Sequence, residues 1–140
     1  GYSELVERLQ EYPQDHLVFT PGLMYNPEIV LYLNYQACKD GWARTMQVHP
    51  DGSTDLVRHR PNQLNHSSRW LCRTADQDAF GVEPCTAELE GYLSEREKGN
   101  VLTLKGGEKF TAEFEIGVLE PPAAQLEEEM IATSVAGKSQ

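Results

Sequence analysis

Residues 108–119 read EKFTAEFEIGVL, with Phe110, Ala112, Phe114, Ile116 and Val118 alternating against Thr111, Glu113, Glu115 and Gly117. Successive side chains of a strand point to opposite faces, so a period of two over this length predicts a strand with one buried face and one wet face. Residues 101–105 and Gly106-Gly107 supply the other arm and the turn of a terminal hairpin. Pro121-Pro122 then ends the sheet. Residues 123–133 predict a helix with Leu126 and Met130 on one side and Glu127, Glu128 and Glu129 in water, and residues 135–140 a frayed tail.

Strand signals also dominate upstream. Residues 28–38 (EIVLYLNYQAC) are rich in β-branched and aromatic residues, and 42–49 and 54–60 follow the turn dipeptides Asp40-Gly41 and Asp51-Gly52. Asp-Gly supplies the positive φ of tight hairpins, so the three runs read as an antiparallel meander. Residues 16–20, 68–74 and 79–83 predict further short strands, and the polar stretch 61–68 (PNQLNHSS) a loop over one end of a sheet. Residues 2–11 predict a helix capped by Ser3, presenting Leu5, Val6 and Leu9 on one face and stopped by Pro13. In the irregular segment 87–99, Ser94 and Glu97 have the spacing of a capping box for one helical turn. The expected fold is therefore mainly β, an antiparallel β-sandwich with short N- and C-terminal helices. Its sandwich occupies 1–120, and its C-terminal helix and tail 121–140.

Composition narrows the function. A chain of 140 residues fits one domain, and 12 Lys+Arg against 22 Asp+Glu leave a formal net charge of −10. Such a balance argues against nucleic acid or an anionic membrane as the main partner, because phosphate chains are held by clustered Lys and Arg. No run approaches the roughly 20 apolar residues of a membrane span, and GYSELVERLQ does not read as a secretory h-region. Cys38, Cys72 and Cys85 form no C-x-x-C pair, which predicts reduced, buried thiols and a cytoplasmic setting. The absence of a G-x-G-x-x-G, Walker or nucleophile-elbow pattern predicts no nucleotide cofactor and no serine-type catalysis.

Two places carry candidate chemistry. Arg44, Arg58, Arg60, Arg69 and Arg73 lie with His49, His59 and His66 in a stretch whose acids are Asp51 and Asp55. A locally basic sheet end suits an anionic or polyhydroxy ligand, although outward arginines commonly just solvate a sheet. Arg69 and Arg73 flank Trp70, whose ring can stack on a sugar or fill a core. His59 and His66 fix no third metal ligand, so no metal site is expected. In Gly81-Val82-Glu83-Pro84, a carboxylate sits at the end of an apolar strand that Pro84 terminates. A carboxylate so placed is a candidate for general acid/base work.

Residues 79–119, AFGVEPCTAELEGYLSEREKGNVLTLKGGEKFTAEFEIGVL, resemble the C-terminal portion of aldose 1-epimerase-like proteins of the galactose mutarotase superfamily. The features shared are the strand Gly81 to Pro84 ending in Glu-Pro, the acidic segment with Glu90-Gly91 and Glu97 to Gly99, the turn from Leu104 to Glu108 and the alternating last strand Phe110 to Leu119. The preceding strand with Trp70 is similar to a mutarotase-like branch. The resemblance implies a large antiparallel sandwich that binds a hexose at one end. It makes Glu83 the general base that takes the anomeric hydroxyl proton while an imidazole protonates the ring oxygen. Trp70, Arg69, Arg73 and His59 are then the substrate-binding candidates. The family's domain is longer and its catalytic histidines lie in an N-terminal half, so the chain reads as a C-terminal half. Its open sheet edges would await that half or a second chain. The alternatives are a non-catalytic sugar-binding or assembly sandwich, and a purely structural one.

Overall fold

A computed structural model describes residues 1–136. In chain order it contains α1 (Tyr2–Glu11), a 3₁₀ turn (Pro13–Leu17), β1 (Tyr25–Tyr32), β2 (Ala43–Val48), β3 (Thr54–His59), β4 (His66–Arg73), β5 (Asp78–Cys85), α2 (Tyr92–Lys98), β6 (Phe114–Leu119) and α3 (Pro121–Ala136). The fold is mainly β, as expected of the sandwich class. Two antiparallel three-stranded sheets, ordered β1-β4-β5 and β2-β3-β6, are accompanied by a helix at each end and a short one between. The chain divides into two compact units, one of Gly1–Leu31 with Arg69–Gly81, the other of Tyr32–Ser68 with the chain from Val82 onward.

The first unit is built on the apolar face of α1. Leu9 is buried with Tyr25, Ile29 and Leu71, and Leu5, Val6, Phe19, Leu23 and Phe80 pack around them. Each large side chain taken from water contributes about 1.5–3 kcal/mol. Phe19 meets Tyr25 and Phe80 edge-on at 6.3 and 5.7 Å. Ser3 lies inside α1 instead of capping it, since the helix already begins at Tyr2. The strand expected over 16–20 is replaced by the 3₁₀ turn. Pro13 presets its φ at the first helical position, and the His16 ring is bonded to the Pro13 carbonyl, so the turn closes locally. β1 starts earlier than expected and stops at Tyr32. Its Pro27 is tolerated because β1 is an edge strand. For the same reason Pro84 does not end β5, which continues to Cys85 along the opposite edge. The β4–β5 hairpin closes where the Thr74 amide donates to the Gln77 carbonyl at 2.8 Å.

In the second unit, Asp51-Gly52 forms the expected hairpin, pairing β2 with β3 from Val48↔Thr54 to Ala43↔His59. Gly52 has φ +85°, and a Cβ there would stand 3.2 Å from Cγ of Pro121. The three-run meander is not formed, because β1 pairs in the other sheet and β3's second neighbour is β6. The terminal hairpin is likewise corrected. Glu108 does donate to the Lys105 carbonyl across the Gly106-Gly107 turn, yet 101–105 and 108–113 are not strands. β6 pairs instead with β3, from Thr54↔Leu119 to His59↔Phe114. Charge decides part of this choice. Arg58 and Glu115 stand directly opposite and form an ion pair, and Arg60 holds Glu113 at 2.6 Å. The face expected to be buried is open, with Phe114, Ile116 and Val118 60%, 73% and 71% exposed.

Both helices of this unit depart from expectation in their ends. α2 is bounded by Gly91 at φ +89° and Gly99 at φ +79°, so Ser94 falls inside it and caps nothing. α3 is longer than expected and stays helical through Val135 and Ala136; positions 137–140 of the proposed tail lie outside the described residues. Leu126 is exposed, while Ala124 is buried. Glu127 does not face water alone, but bonds both Arg44 and Arg58. Among the described residues no helix is long and apolar enough to cross a membrane. Cys38 and Cys72 are buried free thiols, and Cys85 is a half-buried one.

Candidate functional site

β1 ends at Tyr32, β4 begins at His66 and β5 ends at Cys85, so three strand ends deliver polar loops to one place in the second unit. The Leu33 amide donates to the Ser67 carbonyl at 2.8 Å, fixing the first two loops to each other. Between them lies a cleft of about 270 Å³ lined by Tyr32, Leu33, Asn34, Asn65, His66, Ser67, Cys85, Ala87 and Glu88. That volume is near the lower end of small-molecule pockets, about 300–1,000 Å³.

The cleft walls are braced by hydrogen bonds behind them. The Tyr32 hydroxyl donates to Glu90 at 2.8 Å, and this bond raises its pKa above the usual phenol value. His66 Nδ1 lies 3.0 Å from the Asn65 side-chain oxygen. Lys98 donates to Glu88 at 2.7 Å. The Glu88 amide donates at 2.8 Å to buried Glu95, whose carboxyl is held at about 2 by the Asn100 amide and the Lys98 ammonium. α2 thus anchors the Glu88 wall. Burial pushes the Cys85 thiol up, so its neutral form lines the cleft at neutral pH. Ser67 Oγ is buried with no hydrogen-bond partner among the described residues.

Chemically, the wall combines amide donors and acceptors on Asn34 and Asn65, an imidazole, a carboxylate and a phenol ring. Groups of both polarities suit a ligand whose hydroxyls donate and accept at once. Among the described residues no group of three or more His, Cys, Asp or Glu is arranged to hold a metal ion.

The residues singled out from sequence fall in different places. Glu83 accepts a hydrogen bond from Ser68 Oγ at 2.9 Å and lines a separate groove of about 390 Å³ in the second unit. The groove's other walls are apolar, including Val57, Leu64, Val82, Pro84, Phe114 and Ile116. No imidazole bonds Glu83 among the described residues. His59 is 1% exposed on β3, meets Tyr35 edge-on at 5.3 Å, and burial depresses its pKa. It is a neutral core residue. Its Nδ1 has no partner among the described residues.

Arg69, Trp70 and Arg73 belong to the first unit. Strand alternation sets Trp70 on the face of β4 opposite to both arginines, so they do not flank it as a cradle. The indole donates to Glu28 at 3.2 Å. The Arg69 guanidinium lies 5.0 Å over Phe80, and Arg73 donates to the Thr20 carbonyl at 3.2 Å and pairs with Asp78.

The other basic residues are neutralised. Arg44 is held by Asp40 and Glu127, Arg58 by Glu115 and Glu127, and Arg60 by Glu113 while it stacks 4.2 Å above Trp42. The basic stretch is therefore neither an open anion site nor a solvated face. Tyr32, Asn34, Asn65 and Glu88 escaped the sequence reading, whose nearest signal was the polar run 61–68 placed over a sheet end. No known protein family, curated protein or solved structure matches the chain.

Proposed function

We propose that this chain is a carbohydrate-binding β-domain that takes a polyhydroxy ligand of monosaccharide size in the Tyr32–Glu88 cleft. The observation that carries the reading is the convergence of Asn34, Asn65, His66 and Glu88 beside the Tyr32 ring in one cleft. Amide and carboxylate groups bond hydroxyls in pairs, and an aromatic ring takes the apolar face of a sugar. Bracing by Glu90, Lys98 and Glu95 keeps those groups in place before binding, which lowers the ordering cost. Ligand-observed saturation-transfer NMR with glucose, galactose and mannose tests it. Asn65→Ala and Glu88→Ala are expected to abolish the transfer at ligand concentrations that saturate the parent chain. Equal transfer from a chain lacking both side chains would contradict the reading.

A second reading is supported by Glu83. A carboxylate in an otherwise apolar groove, bonded by one hydroxyl, is suited to take a proton from an anomeric hydroxyl. In mutarotase-type ring opening that proton loss is balanced by protonation of the ring oxygen, so a second group must supply the acid. His59 is buried and neutral. The acid would then come from a partner chain or from further sequence. Exchange NMR between α- and β-glucose decides between the readings. Acceleration that disappears in Glu83→Gln supports the second, and sugar binding without acceleration supports the first.

A further inference from the structure

We infer that β6 and the groove beside it receive an extended segment of a partner chain, one with alternating apolar side chains and a Lys or Arg that pairs with Glu83. The inference is independent of the sugar cleft. Among the described residues β6 is an edge strand, hydrogen-bonded to β3 on one side only. Its outer row of amides and carbonyls is a ready template for another strand. Side chains of an added strand alternate in register with those of the edge, so one set falls beside Phe114, Ile116 and Val118. Those three are the kind of large, exposed, contiguous apolar surface that marks an interaction site, and they are β-branched or aromatic, the types that pack best across strands.

Charge selects the occupant. The groove next to this face is lined by Val57, Pro84, Phe114 and Ile116 among other apolar residues, and among the described residues Glu83 is its one charged lining side chain. Glu83 has the Ser68 hydroxyl as its hydrogen-bond donor and no ion-pair partner among the described residues. The nearby acids of this region are already spoken for, Glu113 by Arg60 and Glu115 by Arg58. A cationic side chain carried on an apolar strand satisfies Glu83 and covers the groove together. A second copy of this chain fits less well, because it brings the same net charge of −10 and the same acidic edge.

The probe is a blocked heptapeptide of alternating valine and threonine with one central lysine, titrated into the full chain with amide chemical shifts and fluorescence anisotropy as readouts. Binding with shifts concentrated on β6 and on Glu83 is expected. The same peptide with a central glutamate is expected to bind at least tenfold more weakly. Glu83→Gln should remove the preference, and Glu83→Lys should reverse it. Ile116→Asp, an exposed substitution that leaves the circular dichroism unchanged, should abolish binding of both peptides. Equal binding of the two peptides to the parent chain, or no binding, overturns the inference. So does a concentration-dependent dimer that Ile116→Asp dissociates, because the face would then belong to a second copy.

Discussion

Arg44→Met should destabilise the second unit more than any exposed substitution. The Arg44 side chain is 2% exposed, and its Nη1 and Nη2 donate to Asp40 at 3.0 and 2.6 Å while Nε donates to Glu127 on α3. Methionine keeps most of the stem's packing and removes the charge. Asp40 then loses its only cation among the described residues, and Glu127 retains Arg58 at 3.3 Å. Removing one partner of a fully buried pair costs about 3–5 kcal/mol. Asp40 is about a third exposed, so water takes over part of the lost interaction and the expected cost falls to about 2–3 kcal/mol. At roughly 3–5 °C per kcal/mol for a chain of this size, the melting temperature drops by about 6–15 °C. Differential scanning calorimetry at pH 7, paired with urea unfolding, measures both numbers. Hydrogen exchange should show α3 amides opening first, since α3 loses an anchor. Arg44→Lys keeps the charge but not the planar fork, and should recover no more than half the loss. A shift below 2 °C in Arg44→Met, with α3 protection unchanged, would refute the reasoning.

Other consequences follow from the same geometry. Arg44 holds the Asp40 carboxyl at about 2, below its ordinary 3.8, so that contribution is complete above pH 4 and is lost as pH falls through about 2. Acid titration of stability should lose about 1–2 kcal/mol more over that window in the parent than in Asp40→Asn. His59 is depressed by burial, so the unfolded chain takes up a proton first and stability declines below the ordinary imidazole range near pH 6.5. His59→Gln should flatten that part of the profile. Gly52→Ala forces a left-handed φ on a β-carbon and brings it against Pro121, and should cost about 1–2 kcal/mol in chemical unfolding. Because Cys85 lines the cleft with a raised pKa, alkylation at pH 7 should be slow, and a saturating sugar should slow it further.

The parts of the fold legible in the sequence were those set by local chemistry. Asp51-Gly52 specifies a two-stranded hairpin by its backbone alone, and the β2–β3 register follows. The bounds of α1 follow from its apolar spacing and Pro13. Pairing between distant segments was not legible, because period two states that a strand exists and not which strand it joins. The alternation in 108–119 predicted a buried face, whereas β6 turns that face outward. Buried Arg44 and half-buried Glu127 were equally hidden, since each reads as a surface charge until the fold brings them together. The cleft was marked only by the polar loop 61–68, and its remaining groups come from strand ends far apart in sequence. The sequence places Glu83 at the end of an apolar strand, but the groove around it is built by Leu64 and β6, which no local pattern reveals.

The most direct test of the account is a calorimetric titration of glucose, galactose and mannose into the parent chain and into the Asn65→Ala, Glu88→Ala double variant. Saturable binding of at least one hexose by the parent and none by the double variant is expected, with matching melting curves for both. Binding that survives the double substitution, or a well-folded parent that binds none of the three sugars, would contradict it.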